Sequence, residues 1–294
     1  MPRRTAEWYD HQYNARAGIP DGPAILQSWS DRSARTRQLA KCVLDVPYSE
    51  RGASDASERL DIFLPEQRVE GGAPVLVHIH GGYWRALHKE DQSFVAEPFT
   101  AAGAMVVVPN YALCPQVSIA HIVMQMVQAL AWTWRHARDY GGDPSRIVVT
   151  GHSAGGHLAA MMLACDWPAY APDLPADLVR TAVPVSGLFD LEPLRHAPFL
   201  AADIGLSEAE ALRLSPAALP SPRGQPLLAF VGQLESAEFH RQARLIQRVW
   251  GRRVVSTVED VPGCHHMSVL HALADPATRL HQAVLGALGL AEGA

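Results

Sequence analysis

Six short apolar runs dominate the chain: "PVLVHIH", "AMVVVPN", "RIVVTG", "TAVPVSG", "PLLAFVG" and "RRVVSTVE". Each is rich in β-branched residues and close to continuously apolar, the pattern of strands covered on both faces. Such strands need a parallel sheet with helices packed on either side. The windows between them supply the helices: Val117 to Tyr140, ended by Gly141-Gly142; Ala154 to Cys165, ended before Pro168; and Ala237 to Trp250, ended by Gly251. Alternation in this order predicts an α/β layered fold with right-handed crossovers. Upstream, "KCVLDVPY" and "ERLDIFLP", separated by the polar "SERGASDAS", predict an antiparallel hairpin.

A chain of 294 residues with 48% hydrophobic content can bury a full core undivided, so residues 1–294 are expected to form a single domain, with 1–40 as an N-terminal helical extension. One stretch breaks the alternation. From Phe189 to Pro226 the chain holds Pro193, Pro198, Pro216, Pro220 and Pro222 with only short helical pieces, which predicts an insertion or lid over 189–226.

The formal net charge of −5, with Lys41 and Lys89 as the only lysines, argues against a polyanion partner. "VSIAHIVMQMVQALAWTW" is interrupted by His121, Gln125 and Gln128 and reads as a buried helix, not a membrane span. No apolar core for a signal peptide follows the early arginines. Cys42, Cys114, Cys165 and Cys264 have no CxxC spacing, which predicts reduced, mostly buried thiols in a cytoplasmic, soluble protein. Neither nucleic acid nor membrane is expected as a partner; a homodimer is compatible with the composition.

The strand "RIVVT" runs directly into "GHSAGGHLAA", placing Gly151-His152-Ser153-Ala154-Gly155 at a strand-to-helix corner. Gly-x-Ser-x-Gly at such a corner is a nucleophile elbow: the serine sits on a strained turn with its hydroxyl exposed, and glycines remove side chains that would collide around it. A serine alone is a weak nucleophile, and a tetrahedral intermediate needs donors for its oxyanion. "VLVHIHGGYWR" ends a core strand in His80-Gly81-Gly82, so Gly81, Gly82 and the helix-start amide of Ala154 are the candidate oxyanion hole. His78 and His80 share one strand face, but no carboxylate or cysteine at useful spacing completes a ligand set, and no metal is expected.

Where an elbow of this kind belongs to an α/β-hydrolase, the acid and then the histidine follow the serine in the chain. The pair His265-His266 in "VPGCHHMSVLHALADP" lies in the right place. If that segment begins a helix with the apolar stripe Val269, Leu270 and Leu273, steps of three and four lead back to His266, and His265 is turned roughly 100° away. His266 is therefore the candidate base. Glu235, in the loop after "PLLAFVG", is the first candidate for the acid; Glu238 and Asp260 are the alternatives.

These residues carry a likeness. "YNARAGIPD", "HGGYWR", "GHSAGGHLAA", "SGLFDLEPL", "ESAEFHRQ" and "HHMSV" together resemble the kynurenine formamidase (arylformamidase) family of α/β-hydrolases over nearly the whole chain. The resemblance implies the α/β-hydrolase fold, Glu235 as acid and His266 as base, with one departure: the formamidases often carry aspartate where Glu235 stands. The expected function is a serine hydrolase needing no cofactor, in which Ser153 attacks a small acyl group on a small-molecule N-formyl arylamine. Tyr83, Trp84 and His152 are the candidate substrate contacts. A short-chain carboxylesterase is the alternative; a non-catalytic binding protein on the same fold and a metallohydrolase are those of other classes.

Overall fold

The computed structural model describes residues 4–49 and 56–291. Two helices, α1 (Ala6–Tyr13) and α2 (Gly22–Leu39), precede the hairpin strands β1 (Cys42–Pro47) and β2 (Arg59–Phe63). The polar segment expected to turn between these strands falls largely on residues 50–55, outside the described ones. Then follow β3 (Ala73–Ile79), α3 (Ala96–Ala101), β4 (Met105–Pro109), α4 (Ile119–His136), β5 (Gly142–His152), α5 (Ala154–Leu163), α6 (Trp167–Tyr170) and β6 (Val179–Val185). The proline-rich stretch contributes α7 (Pro198–Ile204) and α8 (Glu208–Arg213), and the chain closes with β7 (Leu227–Gly232), α9 (Ala237–Trp250), β8 (Val255–Val261), α10 (Val269–Leu273) and α11 (Arg279–Leu288).

The strands form one sheet in the order β1-β2-β4-β3-β5-β6-β7-β8, and only β2 runs against the others. Successive side chains of a strand point to opposite faces, so each central strand feeds two cores. Val75, Val77 and Ile79 join Ile122 of α4, Leu158 of α5 and Ile246 of α9 on one side. Leu76, Val106 and Val148 join Trp29 of α2, Leu270 of α10 and Val284 of α11 on the other. Both β3 and β4 are buried along their whole length, as their apolar runs predict. β8 is different: it lies at the sheet edge with only its end residues buried, so its apolar sequence overstates its cover.

Three further expectations shift. Helix α5 stops at Leu163, and Pro168 opens the next short helix instead of closing this one, as proline can in a first turn. Only Cys114 of the four free thiols is buried; the other three are half-buried. Helix α10 begins at Val269, so His265 and His266 stand in the turn before it, not in its first turn.

Helix α2 and the loop after β3 are held to the hairpin strands by polar contacts that hydrophobic patterning does not show. Lys89, 1% exposed, donates to Asp61 at 2.8 Å and to Asp45 at 2.7 Å, and Arg37 of α2 pairs with the other oxygen of Asp61. Removing one partner from such a buried pair costs about 3–5 kcal/mol, because a charge is left alone in a poor solvent for it.

Candidate active site

Ser153 sits between the end of β5 and the start of α5 with φ 56° and ψ −114°, a conformation an L-residue holds only when its surroundings impose it. The surroundings are backbone packed too closely for side chains. A Cβ on Gly155 would lie 2.0 Å from the carbonyl oxygen of Ile79, and one on Gly151 would lie 2.3 Å from that of Gly155. The glycines of the elbow are thus steric requirements of β3, β5 and α5 meeting at one corner.

The carboxyl ends of the neighbouring strands bring the other groups to this corner, as is general in open α/β sheets. The Ser153 hydroxyl is 3.0 Å from His266 Nε2, and His266 Nδ1 is 2.6 Å from Glu235 Oε2. With Nδ1–H donating to the carboxylate, Nε2 is left as the acceptor for the serine proton. Glu235, in the loop after β7, has a fully buried side chain and its second oxygen is also used: Oε1 accepts from the amide of Gly232 at 2.7 Å and from the hydroxyl of Ser186. Ser186, just after β6, is in a left-handed conformation of its own, φ 53°. Sequence reasoning gave it no role, although its position after a core strand, level with the elbow, is the available signal.

The two alternative acids are engaged elsewhere. Glu238 accepts from the Tyr13 hydroxyl at 2.5 Å and from Arg241 Nε at 2.7 Å, tying α1 to α9. Asp260 pairs with His240 at the surface. His265 is turned into its own loop, where Nδ1 accepts from the amides of Met267 and Ser268, both at 3.2 Å. The paired histidines therefore divide between facing the serine and capping the turn that presents it.

His152 lies beside them. Its Nε2–H donates to the carbonyl of His266 at 2.7 Å, and burial holds the ring well below the usual histidine range, hence neutral. Nδ1 is then a lone pair with no partner among the described residues. Of the two histidines weighed as metal ligands, His78 bonds Gln92 at 3.0 Å, and His80 bonds the Gly81 carbonyl at 2.9 Å while stacking on Tyr111. Burial pushes their pKa values down to about 4 and about 3, as for neutral core imidazoles.

The loop after β3 turns sharply. Gly82, Tyr83 and Trp84 all have positive φ, of 104°, 52° and 57°, and a Cβ on Gly82 would fall 2.0 Å from the carbonyl of Ala86. Gly81 abuts the elbow: its Cβ would meet the His152 carbonyl at 2.7 Å. The amides of Gly82 and Tyr83 donate to no acceptor among the described residues, and the amide of Ala154, first of its helix, has none within it. Tyr83 is an addition to the expected set.

In front of Ser153 lies a cavity of about 150 Å³ walled by Trp29, Tyr83, Leu87, His152, Phe199 and Met267. Of the candidate substrate contacts, Tyr83 and His152 line this cavity. Trp84 does not. It is fully buried and packs edge-on against His157 in the core behind the loop, because the left-handed turn sends consecutive side chains to opposite sides. Trp29 and Phe199 were missed; they come from α2 and α7, distant in sequence, and only tertiary packing brings them here.

The BD-FAE family matches residues 60–166. Kynurenine formamidase of Salmo salar is 31% identical over 97% of this chain and 93% of its own length. Esterase LipQ of Mycobacterium tuberculosis is 33% identical over 53% of this chain and 37% of that protein. Among solved structures, a thioesterase candidate from Silicibacter sp. TM1040 superposes with a TM-score of 0.79 at 29% identity, covering 96% of this chain and 98% of that one. The fold is that of the α/β-hydrolases, and the chain is a hydrolase acting on formamide or ester substrates.

Proposed function

The chain belongs to the kynurenine formamidase family, and from that premise we propose that it removes the formyl group from an N-formyl arylamine of the N-formylkynurenine type by a Ser153–His266–Glu235 triad. In this reading Ser153 attacks the formyl carbon as His266 takes its proton, and Glu235 fixes the imidazole tautomer and stabilises the imidazolium. The amides of Gly81, Gly82 and Ala154, with that of Tyr83, hold the oxyanion. His266 then returns its proton to the leaving arylamine, and water, activated by the same imidazole, releases formate. Each oxyanion donor of this kind contributes about 3–4 kcal/mol to lowering the barrier.

The observation that carries the reading is the continuous hydrogen-bonded path from the Ser153 hydroxyl through His266 to a fully buried Glu235 carboxylate. The cavity supports the substrate class: about 150 Å³ between aromatic walls suits a planar aryl group carrying the smallest acyl. Short-chain ester hydrolysis is the second reading, favoured by the likeness to an esterase. We further propose that 1–294 act as one catalytic domain in the cytoplasm, with 189–226 as a lid; among the described residues no helix is long and apolar enough to cross a membrane. The test is turnover of N-formylkynurenine against p-nitrophenyl acetate and longer-chain esters. A kcat/KM higher for the formamide is expected, and one strongly favouring the esters would replace the formamide reading with the second.

A further inference from the structure

The cavity in front of Ser153 has a one-sided charge. Arg16 and Arg85 are in its wall, and no aspartate or glutamate is. In a chain of net charge −5 this is a local inversion of sign. Arg85 is already engaged: it pairs with Asp203, donates to the carbonyl of Phe199 at 2.7 Å and lies 5.5 Å over the Phe199 ring. Arg16 is not. Among the described residues its guanidinium has neither an ion pair nor a hydrogen bond, and it stands exposed at the mouth of the cavity.

The backbone that presents Arg16 is fixed on both sides. Just before it, Ser236 donates to the carbonyl of Gln12, the buried Tyr13 bonds Glu238, and the Tyr83 hydroxyl donates to the carbonyl of Tyr13. Just after it, Gly22 packs so closely on Met267 that a Cβ there would lie 3.3 Å from the sulfur. An unpaired guanidinium on an anchored backbone segment, with one neutralised neighbour and no acid in the same wall, is available to an anion.

We propose that Arg16 reads a carboxylate on the leaving group of the substrate, so that the site selects acyl compounds of carboxylate-bearing aryl amines or phenols over neutral ones of equal size. The proposal rests on the small-acyl reading above, which leaves the open mouth to the leaving group. With the acyl carbon at Ser153, the ring lies along Tyr83 and Phe199 and its charged substituent points outward to Arg16.

The experiment compares 4-acetoxybenzoate with its methyl ester, which share acyl group and ring and differ in charge. The ratio of their kcat/KM values is measured for the wild type, Arg16→Met and Arg16→Lys. Arg16→Met is expected to lower the charged-to-neutral ratio about tenfold, chiefly through KM of the charged ester, the size of a partly screened charge-assisted hydrogen bond. Arg16→Lys should recover part of it, and added salt should shrink the wild-type ratio more than that of Arg16→Met. A ratio identical in wild type and Arg16→Met, or a wild-type ratio insensitive to salt, overturns the proposal. Failure of the formamide reading would appear separately, in the N-formylkynurenine comparison, and leaves this ratio readable.

Discussion

The Ser186 hydroxyl donates a hydrogen bond to Glu235 Oε1 while its own backbone is held at φ 53°, and the Gly232 amide donates to the same oxygen. With Oε1 used twice, Oε2 is the oxygen left for His266. A carboxylate fixed through one oxygen cannot swing, so Ser186 is a positioning residue for the imidazole. Ser186→Ala should lower kcat about tenfold with KM little changed, the loss expected when one hydrogen bond to a charged group is removed. Steady-state kinetics beside a thermal melt checks this: an unchanged kcat with a lowered Tm would make its role purely structural. At this scale much was legible, since Ser153, Glu235 and His266 each follow a recognisable strand. Ser186 follows one too, but a lone serine there carries no chemical signature until its partner is seen. Trp84 misled because sequence adjacency to a glycine loop says nothing about which side of a left-handed turn a side chain takes.

Among the elements, the elbow is the most tightly determined. Strand β3, strand β5 and helix α5 approach so closely that Gly155 has carbonyl oxygen where a methyl group would go. Gly155→Ala should therefore destabilise the fold by roughly 3 kcal/mol or more, since neither backbone can yield without moving the sheet. A denaturant midpoint close to that of the wild type would show the corner to be softer than its packing implies. The end of helix α9 could be placed from sequence because Gly251, with φ 79°, follows its last residue. Helix α10 could not: the side chains of His265 and Ser268 satisfy the backbone of the preceding turn, and an apolar stripe continued through that turn leads to the histidine that faces Ser153 by a helical geometry that is absent.

For the molecule as a whole, the layered sheet with its two cores follows from the apolar runs, because residues covered on both faces suit an interior strand; the strand order does not follow from them, and β8, apolar in sequence, lies at the edge. The cavity in front of Ser153 does not follow from any run. Its walls come from the segment before α2, from α2 itself, from the loop after β3, from α7 and from the turn before α10. Each contributes side chains whose meeting depends on long-range packing, including the buried Lys89–Asp61 pair near the hairpin and the Tyr13–Glu238 contact between α1 and α9. Sequence patterning registers periodicity within an element, and these contacts have none.

The central claim is that Ser153 is activated by His266 and not by its neighbour. It is tested most directly by the rate at which a fluorophosphonate labels Ser153 in the wild type, His266→Ala and His265→Asn, with the site mapped by mass spectrometry; asparagine keeps an acceptor for the turn that His265 caps. His266→Ala should slow labelling by about 10³-fold or more, and His265→Asn should stay within about fivefold of the wild type. Equal slowing in both variants, or label on a residue other than Ser153, would contradict the account.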